Sequence, residues 1–210
     1  MQIAVLGTGR VGGALGSRWA NRGHKVIYGC RDPEHAEVRA VLEKSGPHAV
    51  AASVRDAALA CPVVLLAVPW SAARDVLASI GPLGNRVLLD CINPLKPDLS
   101  GLDLAPGVSA AELIASWAPG TRVVKAFNTV GDAAMVDPWF GDQRAAMFYC
   151  GDDAEAKAVT SQLTADLDLE PVDAGPLRNA CYLESLAMLY IHLAVFGGWG
   201  AQCAFKVIKR

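Results

Sequence analysis

The feature that most constrains this chain is a glycine-rich segment placed between an apolar run and a helical pattern. Residues 2–6 are an apolar run of strand length, and residues 11–21 predict a helix. Across their junction the sequence reads G-x-G-x-x-G, through Gly7, Thr8, Gly9, Arg10, Val11 and Gly12. A strand, this pattern and a helix in that order are typical of the phosphate-binding turn that opens a dinucleotide-binding βαβ unit. The segment therefore predicts such a unit at the start of the chain.

Each glycine of this segment meets a different steric requirement. Gly7 permits the tight turn, Gly9 lets the backbone approach a pyrophosphate, and Gly12 lets the helix pack closely on the strand. The N-terminus of the helix presents free N–H groups and the positive end of the helix dipole to the phosphates. Glycines that only turn the chain would not require all three positions together with the flanking strand and helix. We therefore expect residues 7–12 to bind a pyrophosphate.

The end of the second predicted strand indicates which dinucleotide binds. NAD-binding domains place an Asp or Glu about 20 residues after the glycines, where it bonds the ribose 2′-hydroxyl. Here residues 28–31 read YGCR, with no acid at the end of the strand and an arginine just beyond it. A guanidinium can bind a 2′-phosphate through two parallel hydrogen bonds. The sequence thus predicts NADP(H), with Cys30 and Arg31 at the 2′-phosphate, and interprets Asp32, which precedes Pro33, as a helix cap.

Apolar runs of strand length alternate with helical patterns along the chain, as in an α/β fold with a doubly wound, mainly parallel sheet. The predicted strands are Gln2–Leu6, Lys25–Gly29, Ala49–Ala51, Val63–Ala67, Arg86–Asp90, Arg122–Phe127 and Ala145–Cys150. We expect a Rossmann NADP(H)-binding domain over residues 1–175 and a small C-terminal helical extension over residues 176–210. The extension is expected to form a wall of the substrate pocket and an interface between two copies of the chain.

Capping patterns mark the predicted helix starts. Ser109, three residues before Glu112, matches a capping box, and Asp152 or Asp153 precedes a helix over residues 154–166. Asp32 and Pro33 predict a helix whose first turn contains the proline. The last predicted helix runs from about Asn179 to Phe196. Its most apolar stretch, residues 183–196, is expected to be too short for a bilayer, which needs roughly 20 residues.

Composition excludes several classes of function. The formal net charge is −2 and the isoelectric point is near 6.1, so no basic surface is expected to attract nucleic acid. The six cysteines form no Cys-x-x-Cys pair, which argues against a disulfide framework or a zinc site and favours a reducing compartment. With no charged and apolar leader at the start, we expect a cytoplasmic protein without a membrane partner.

The predicted sheet order places the ligand at the switch point, outside the carboxyl ends of the first and fourth strands. This brings Ala67, Val68 and Pro69 next to the glycine segment, where they would offer backbone groups and small side chains to the cofactor. Trp70 follows directly and either covers the cofactor or packs as a core residue at a helix start. His24 follows a turn and is interpreted as a turn residue only.

Several segments, taken in order, resemble one known family. They are residues 7–12 (GTGRVG), 28–31 (YGCR), 67–70 (AVPW), 93–95 (NPL), 125–129 (KAFNT), 150–153 (CGDD), 173–177 (DAGPL) and 184–189 (ESLAML). The sequence resembles the NADPH:coenzyme F420 oxidoreductases and the related cytosolic flavin-using domains of the STEAP metalloreductases. The likeness covers nearly the whole chain.

The resemblance implies hydride transfer between NADP(H) and a stacked deazaflavin (coenzyme F420) or flavin (FMN or FAD). It implies that Ala126 and Asn128 border the nicotinamide, and that Asn93, Pro94 and the helix around Leu186 shape the pocket of the second ring. Both ring systems carry their own reactivity, so the protein supplies position, orientation and dryness. We therefore predict no catalytic side chain and no metal ligand.

Two positions depart from the family pattern, and two other functions stay open. The relatives usually have a hydroxyl residue in place of Cys30 and another basic residue soon after Arg31, where this chain offers His35 and Arg39. His192 is either a proton-transferring group on the pocket helix or a polar group at a subunit interface. The alternative functions are a non-enzymatic NADP(H)-binding redox sensor and an NADPH-dependent reductase of an unrelated small molecule.

Overall fold

The computed structural model describes residues 1–210 and contains one large sheet with helices on both faces. The strands of the large sheet are β1 (Gln2–Leu6), β2 (Lys25–Cys30), β3 (Ala49–Ser53), β4 (Val63–Leu66), β5 (Val87–Asp90), β6 (Arg122–Lys125), β9 (Ala146–Gly151) and β10 (Glu170–Asp173). Their order is β10-β9-β6-β5-β4-β1-β2-β3, and every neighbouring pair is parallel except β6 and β9. A two-stranded hairpin, β7 (Trp139–Phe140) and β8 (Gln143–Arg144), lies apart. The predicted doubly wound, mainly parallel sheet is confirmed.

Eight α-helices connect and cover the strands. They are α1 (Arg10–Asn21), α2 (Ala36–Ser45), α3 (Val54–Ala60), α4 (Trp70–Ile80), α5 (Ala110–Trp117), α6 (Asp132–Val136), α7 (Ala154–Ala165) and α8 (Ala180–Ile191). Short 3-10 turns lie at Gly46–His48 and Leu177–Asn179, and a π-helical turn, His192–Phe196, continues α8. Ser109 and Asp153 cap α5 and α7 as predicted, each accepting a backbone N–H of the first turn.

The strands are buried because each face of the sheet has its own hydrophobic layer. Along β1, Ile3 and Val5 pack in a layer with Trp19 of α1, whereas Ala4 and Leu6 pack in a layer on the opposite side. This alternation follows from the period of two along a strand. Because helices cover both faces, the strand ends are where loops can form a ligand site.

Three details of the chain differ from the sequence predictions. Asp32 is not a helix cap: its Oδ1 accepts the N–H of Glu34 (3.0 Å) in a local turn, and α2 begins only at Ala36, after His35. The strand predicted to reach Phe127 ends at Lys125, because Phe127 adopts a left-handed φ of +60°. Strand β10, which contains Pro171, is not among the strands predicted from the sequence. It can form because it is an edge strand, where the N–H that proline lacks is not needed for pairing.

The C-terminal helical segment is longer than predicted. It runs without interruption from Leu177 to Phe196, so its 20 residues are long and apolar enough to cross a membrane by length and composition alone. Residues 183–196 alone are too short, as expected, but the helical segment to which they belong begins six residues earlier. In the fold, Leu177, Ala180 and Leu183 from this segment pack into one of the two hydrophobic layers of the sheet. The division of the chain at residue 175 stays a prediction.

Candidate cofactor cleft at the carboxyl ends of the central strands

The glycine segment forms a tight turn that leaves one position open. Gly7 has φ +105°, and a β-carbon there would overlap the carbonyl oxygen of Ala67; a β-carbon at Gly12 would overlap the carbonyl of Gly7. A β-carbon at Gly9, in contrast, would meet no atom within 4 Å. Helix α1 starts directly after it, and no side chain caps its first turn. Free N–H groups therefore face open space where a phosphate can approach.

A cavity of about 380 Å³ lies beside this turn. Its wall combines the ends of β1, β2 and β4 with small residues of α3 and α4: Gly7, Thr8, Gly9, Gly29, Cys30, Arg31, Val54, Ala67, Val68, Pro69, Ala72 and Val76. The cavity lies at the switch point between β1 and β4. The structure thus brings most of the predicted cofactor residues together around one cleft.

A neighbouring cavity of about 400 Å³ continues past the end of β2. It shares Thr8, Cys30 and Arg31 with the first cavity and adds Asp32, His35, Glu37 and Val38. The guanidinium of Arg31 is exposed and has no ion-pair or hydrogen-bond partner in the protein. Two basic side chains, Arg31 and His35, therefore line a space that also has two carboxylates at its rim.

Of the two basic residues that follow Arg31, only His35 lines this cavity. Arg39 lies instead 3.6 Å from a carboxylate oxygen of Glu34 on the exposed side of α2. Cys30 is also part of the wall, and burial, together with the charge of Asp32, raises the pKa of its thiol. The raised pKa favours the neutral thiol over the reactive thiolate.

Arg10 and Val11, also predicted to contact the cofactor, sit in the first turn of α1. The guanidinium of Arg10 forms a two-pronged ion pair with Asp132 at the start of α6, with N–O distances of 2.8 and 2.9 Å. Arg10 is highly exposed, and the pair joins the glycine segment to α6 across the surface. Contact of Arg10 or Val11 with a cofactor stays a prediction.

The residues predicted to border the nicotinamide lie just below the surface beyond β5 and β6. Asn93 Nδ2 donates to the carbonyl of Asn128 (2.9 Å), and Asn128 Nδ2 donates to Asn93 Oδ1 (3.0 Å) and to the carbonyl of Leu183 (3.1 Å). Ala126 has no exposed surface and Asn128 is 4% exposed, whereas Asn93 is half-buried. Asn128 therefore supports Asn93 and α8 from beneath.

The left-handed turn at Phe127 produces this arrangement. Its side chain is buried and packs edge-on against Trp19, with ring centroids 5.4 Å apart. Strained backbone of this kind is maintained only where the surrounding packing fixes it. The turn ends β6 and directs the chain toward Asn93. Pro94 is buried beside it, and Leu186 is half-buried on α8.

Sequence analysis missed a group of three buried charged residues behind this part of the cleft. Lys125 Nζ lies 3.0 Å from Asp90 Oδ2 and 2.8 Å from Glu184 Oε1, and all three side chains have no exposed surface. Lys125 also donates to the carbonyl of Ile92. The only signal in the sequence was a single charged residue within each of three apolar segments.

The remaining candidates have structural contacts. Trp70 stacks on Trp117 with ring centroids 5.5 Å apart and does not line the cleft cavity, which favours packing over covering the cofactor. His192 is exposed and its ring lies 5.8 Å from that of Phe196. His24 is not a turn residue only: it is buried, with its Nε2 3.0 Å from Asp166 Oδ2.

Comparisons with known proteins place the chain in one family. Residues 2–94 match the family model described as NADP oxidoreductase coenzyme F420-dependent. The F420-dependent NADP reductase of Methanothermobacter thermautotrophicus is 35% identical over 93% of this chain and 90% of its own length. Metalloreductase STEAP3 of Rattus norvegicus is 27% identical over 89% of this chain and 36% of its own length.

A solved structure matches over the full length. The crystal structure of a protein from Arthrobacter sp., provisionally assigned as an F420-dependent NADP-reductase, superimposes with a TM-score of 0.88 at 31% identity and covers 99% of both chains. The similarity thus includes α8 and the tail as well as the glycine segment. This chain belongs to the family of F420-dependent NADP reductases, a family of NADP-dependent oxidoreductases.

Proposed function

We propose that this protein transfers a hydride between NADP(H) and coenzyme F420. The observation that carries the proposal is the open turn at Gly9, with its uncapped helix, in a cleft whose far end has an unpaired arginine. That arrangement fits a dinucleotide with a phosphate on its ribose. The 35% identity to an F420-dependent NADP reductase, over 93% of this chain, supports coenzyme F420 as the acceptor.

The cleft offers a place for each part of NADP(H). Backbone N–H groups of residues 7–12 would bind the pyrophosphate, with Arg10 and Val11 at its edge. Thr8, Cys30 and Arg31 would surround the 2′-phosphate, and His35 lines the same space. The segment Ala67–Pro69 would lie along the rest of the cofactor toward the ends of β5 and β6. The nicotinamide supplies the hydride chemistry when bound.

The second substrate would sit against the ends of β5 and β6. Asn93, Pro94 and Leu186 would shape its pocket, and Ala126 and Asn128 would border the nicotinamide beside it. The role of these side chains is to align the two rings and exclude water, because a hydride moves only when donor and acceptor carbons are held close. No side chain of this set needs to exchange a proton with the reacting atoms.

Dimerisation and a cytoplasmic location are part of the proposal. Large apolar side chains are exposed on α8 and the turn that follows it: Tyr182, Leu189, Val195, Phe196 and Trp199. A second copy of the chain would cover this surface. All six cysteines are free thiols, which suits a reducing compartment. Sedimentation equilibrium tests the dimer; a monomer at micromolar concentration would contradict it.

The acceptor is tested by anaerobic oxidation of NADPH, followed by absorbance, against F420, FMN, FAD and no acceptor. NADH runs in parallel as the donor control. We expect the fastest turnover with NADPH and F420. Turnover only with FMN or FAD would show that the acceptor is a flavin and not the deazaflavin, in line with the STEAP resemblance. Tight NADPH binding without any turnover would instead favour a redox-sensing module or an unrelated small-molecule substrate.

A further inference from the structure

The buried charges behind the cleft connect three separate parts of the chain. Asp90 is the last residue of β5, Lys125 is the last residue of β6, and Glu184 lies on α8. Lys125 Nζ contacts one carboxylate oxygen of each acid, at 3.0 and 2.8 Å. Because none of the three side chains reaches solvent, water cannot replace these contacts if one partner moves away.

The surroundings of the group satisfy its excess negative charge. Both carboxylate oxygens of Glu184 accept the N–H of Ala110, at 3.0 and 3.1 Å, and Ala110 is the first residue of α5. The carboxyl group of Glu184 therefore lies at the positive end of the dipole of α5. Burial lowers and the two carboxylates raise the pKa of Lys125, and the pKa stays above its ordinary value. Lys125 is accordingly the cation of the group and lies between two carboxyl side chains. Burial raises the pKa of Glu184, against the opposing effect of Lys125.

The same group fixes the chain just before Asn93. The N–H of Ile92 donates to Asp90 Oδ1 (2.9 Å), and the carbonyl of Ile92 accepts from Lys125 Nζ. Both polar groups of this residue are thus bound by the buried charges. On α8, Leu183 precedes Glu184 and its carbonyl accepts from Asn128 Nδ2 (3.1 Å).

We propose that Lys125, with Asp90 and Glu184, is a positioning residue for the hydride acceptor. It sets the distance between α8 and the segment Asn93–Pro94, the two walls assigned to the second ring. The inference rests on the proposed function and deepens it. The part of the site assigned to the pyrophosphate and the 2′-phosphate is formed by β1, β2, β4 and α1, none of which carries a member of the group. Perturbing the group should therefore affect the acceptor more than the dinucleotide.

Glu184→Gln tests this selectivity because it keeps the size of the side chain and replaces the carboxyl group that contacts Lys125 by an amide. We expect the KM for F420 to rise roughly tenfold or more, as for loss of one hydrogen bond to a charged group. The Kd for NADPH should stay within about twofold, since the residues assigned to its pyrophosphate and 2′-phosphate lie on elements that carry none of the buried charges. Glu170→Gln is the matched control, because Glu170 lies on the edge strand β10, pairs with Lys206 (2.7 Å) and lines neither cleft cavity.

Hydrogen exchange gives a readout that does not depend on turnover. In Glu184→Gln we expect faster exchange in residues 180–191 and 91–94, with no change in residues 7–12. Equal effects on the KM for F420 and the Kd for NADPH, no effect on either, or exchange that rises uniformly would overturn the proposal. If Glu184→Gln does not fold, Glu184→Asp, which keeps the charge but shortens its reach, should show the same selectivity at smaller size.

The exchange result also separates the two proposals. A wild-type protein that does not reduce F420 would contradict the proposed function. In that case, faster exchange confined to α8 and residues 91–94 in the variant would still support positioning by the buried charges. Unchanged or uniform exchange would contradict it.

Discussion

Replacing Arg31 by alanine should remove most of the preference for NADPH over NADH. Its guanidinium is exposed, has no partner in the protein and lines the 400 Å³ cavity at the end of β2. The substitution therefore breaks no contact within the fold. Without Arg31 the cavity would be unfavourable to a phosphate, because the acidic side chains of Asp32 and Glu37 line it and His35 would be its only basic side chain.

The size of the effect follows from the lost contact. A hydrogen bond to a charged group contributes about 1.5–3 kcal/mol, and a guanidinium can make two parallel bonds to a phosphate. That free energy corresponds to a loss of roughly 10- to 150-fold in affinity for NADPH, since about 1.4 kcal/mol is a factor of ten. Binding of NADH, which lacks the 2′-phosphate, should change by less than about twofold.

The assay is a titration of each nucleotide by quenching of tryptophan fluorescence, at one fixed ionic strength. Arg39→Ala is the matched control, because Arg39 lies on α2, eight residues after Arg31, but pairs with Glu34 and does not line the cavity. It should leave both affinities unchanged. An equal loss for NADPH and NADH in Arg31→Ala, or no loss for NADPH, would refute the assignment of this cavity to the 2′-phosphate.

Three further predictions concern the glycine segment, the effect of His24 on stability at low pH, and the stacked tryptophans. Gly9→Ala should fold with wild-type thermal stability but bind NADPH weakly, because its β-carbon would fill space open to the phosphate; Gly12→Ala should be strongly destabilised, because its β-carbon would overlap the Gly7 carbonyl. Equal melting temperatures for the two variants would contradict this reading. Burial, and then the N-terminal amine, lower the pKa of His24, so the fold favours its neutral form. Neutral His24 therefore stabilises the fold above the pKa of the unfolded chain, about 6.5, and this stabilisation is lost as the pH falls. Urea unfolding should show a smaller decrease in the free energy of unfolding below pH 6.5 in His24→Gln than in wild type. Trp70→Ala should lower the free energy of unfolding by about 2 kcal/mol through loss of its stack on Trp117, with the Kd for NADPH unchanged. A large rise in that Kd would indicate that Trp70 contacts the cofactor instead.

The parts of the fold that depend on local pattern could be predicted from the sequence. The apolar runs gave the seven central strand positions to within a few residues, because buried parallel strands are continuously hydrophobic. The three glycines predicted the turn at β1, since their steric reasons are local: close approach at Gly7 and Gly12 and open space at Gly9. The segment after β4 followed from topology alone, because the switch point lies between β1 and β4.

What the sequence did not reveal depends on contacts between distant residues. Asp90 and Lys125 are 35 residues apart, and Glu184 lies 74 residues from the Ala110 N–H that it accepts, so no spacing links them. The start of α2 was placed too early because Asp32 satisfies its own local turn instead of capping a helix. That His35 and not Arg39 lines the cavity likewise depends on the position of His35 just before α2 and on the pairing of Arg39 with Glu34.

The central claim is direct hydride transfer from NADPH to coenzyme F420, and isotope transfer tests it most directly. Under anaerobic conditions the protein would receive F420 and NADPH deuterated at one or the other face of the nicotinamide C4, in separate reactions. Mass spectrometry of the reduced F420 should find one deuterium from one of the two labelled donors and none from the other, because a fixed stack presents a single face of the nicotinamide. Reduced F420 without deuterium from either donor, or no reduction at all, would contradict the account.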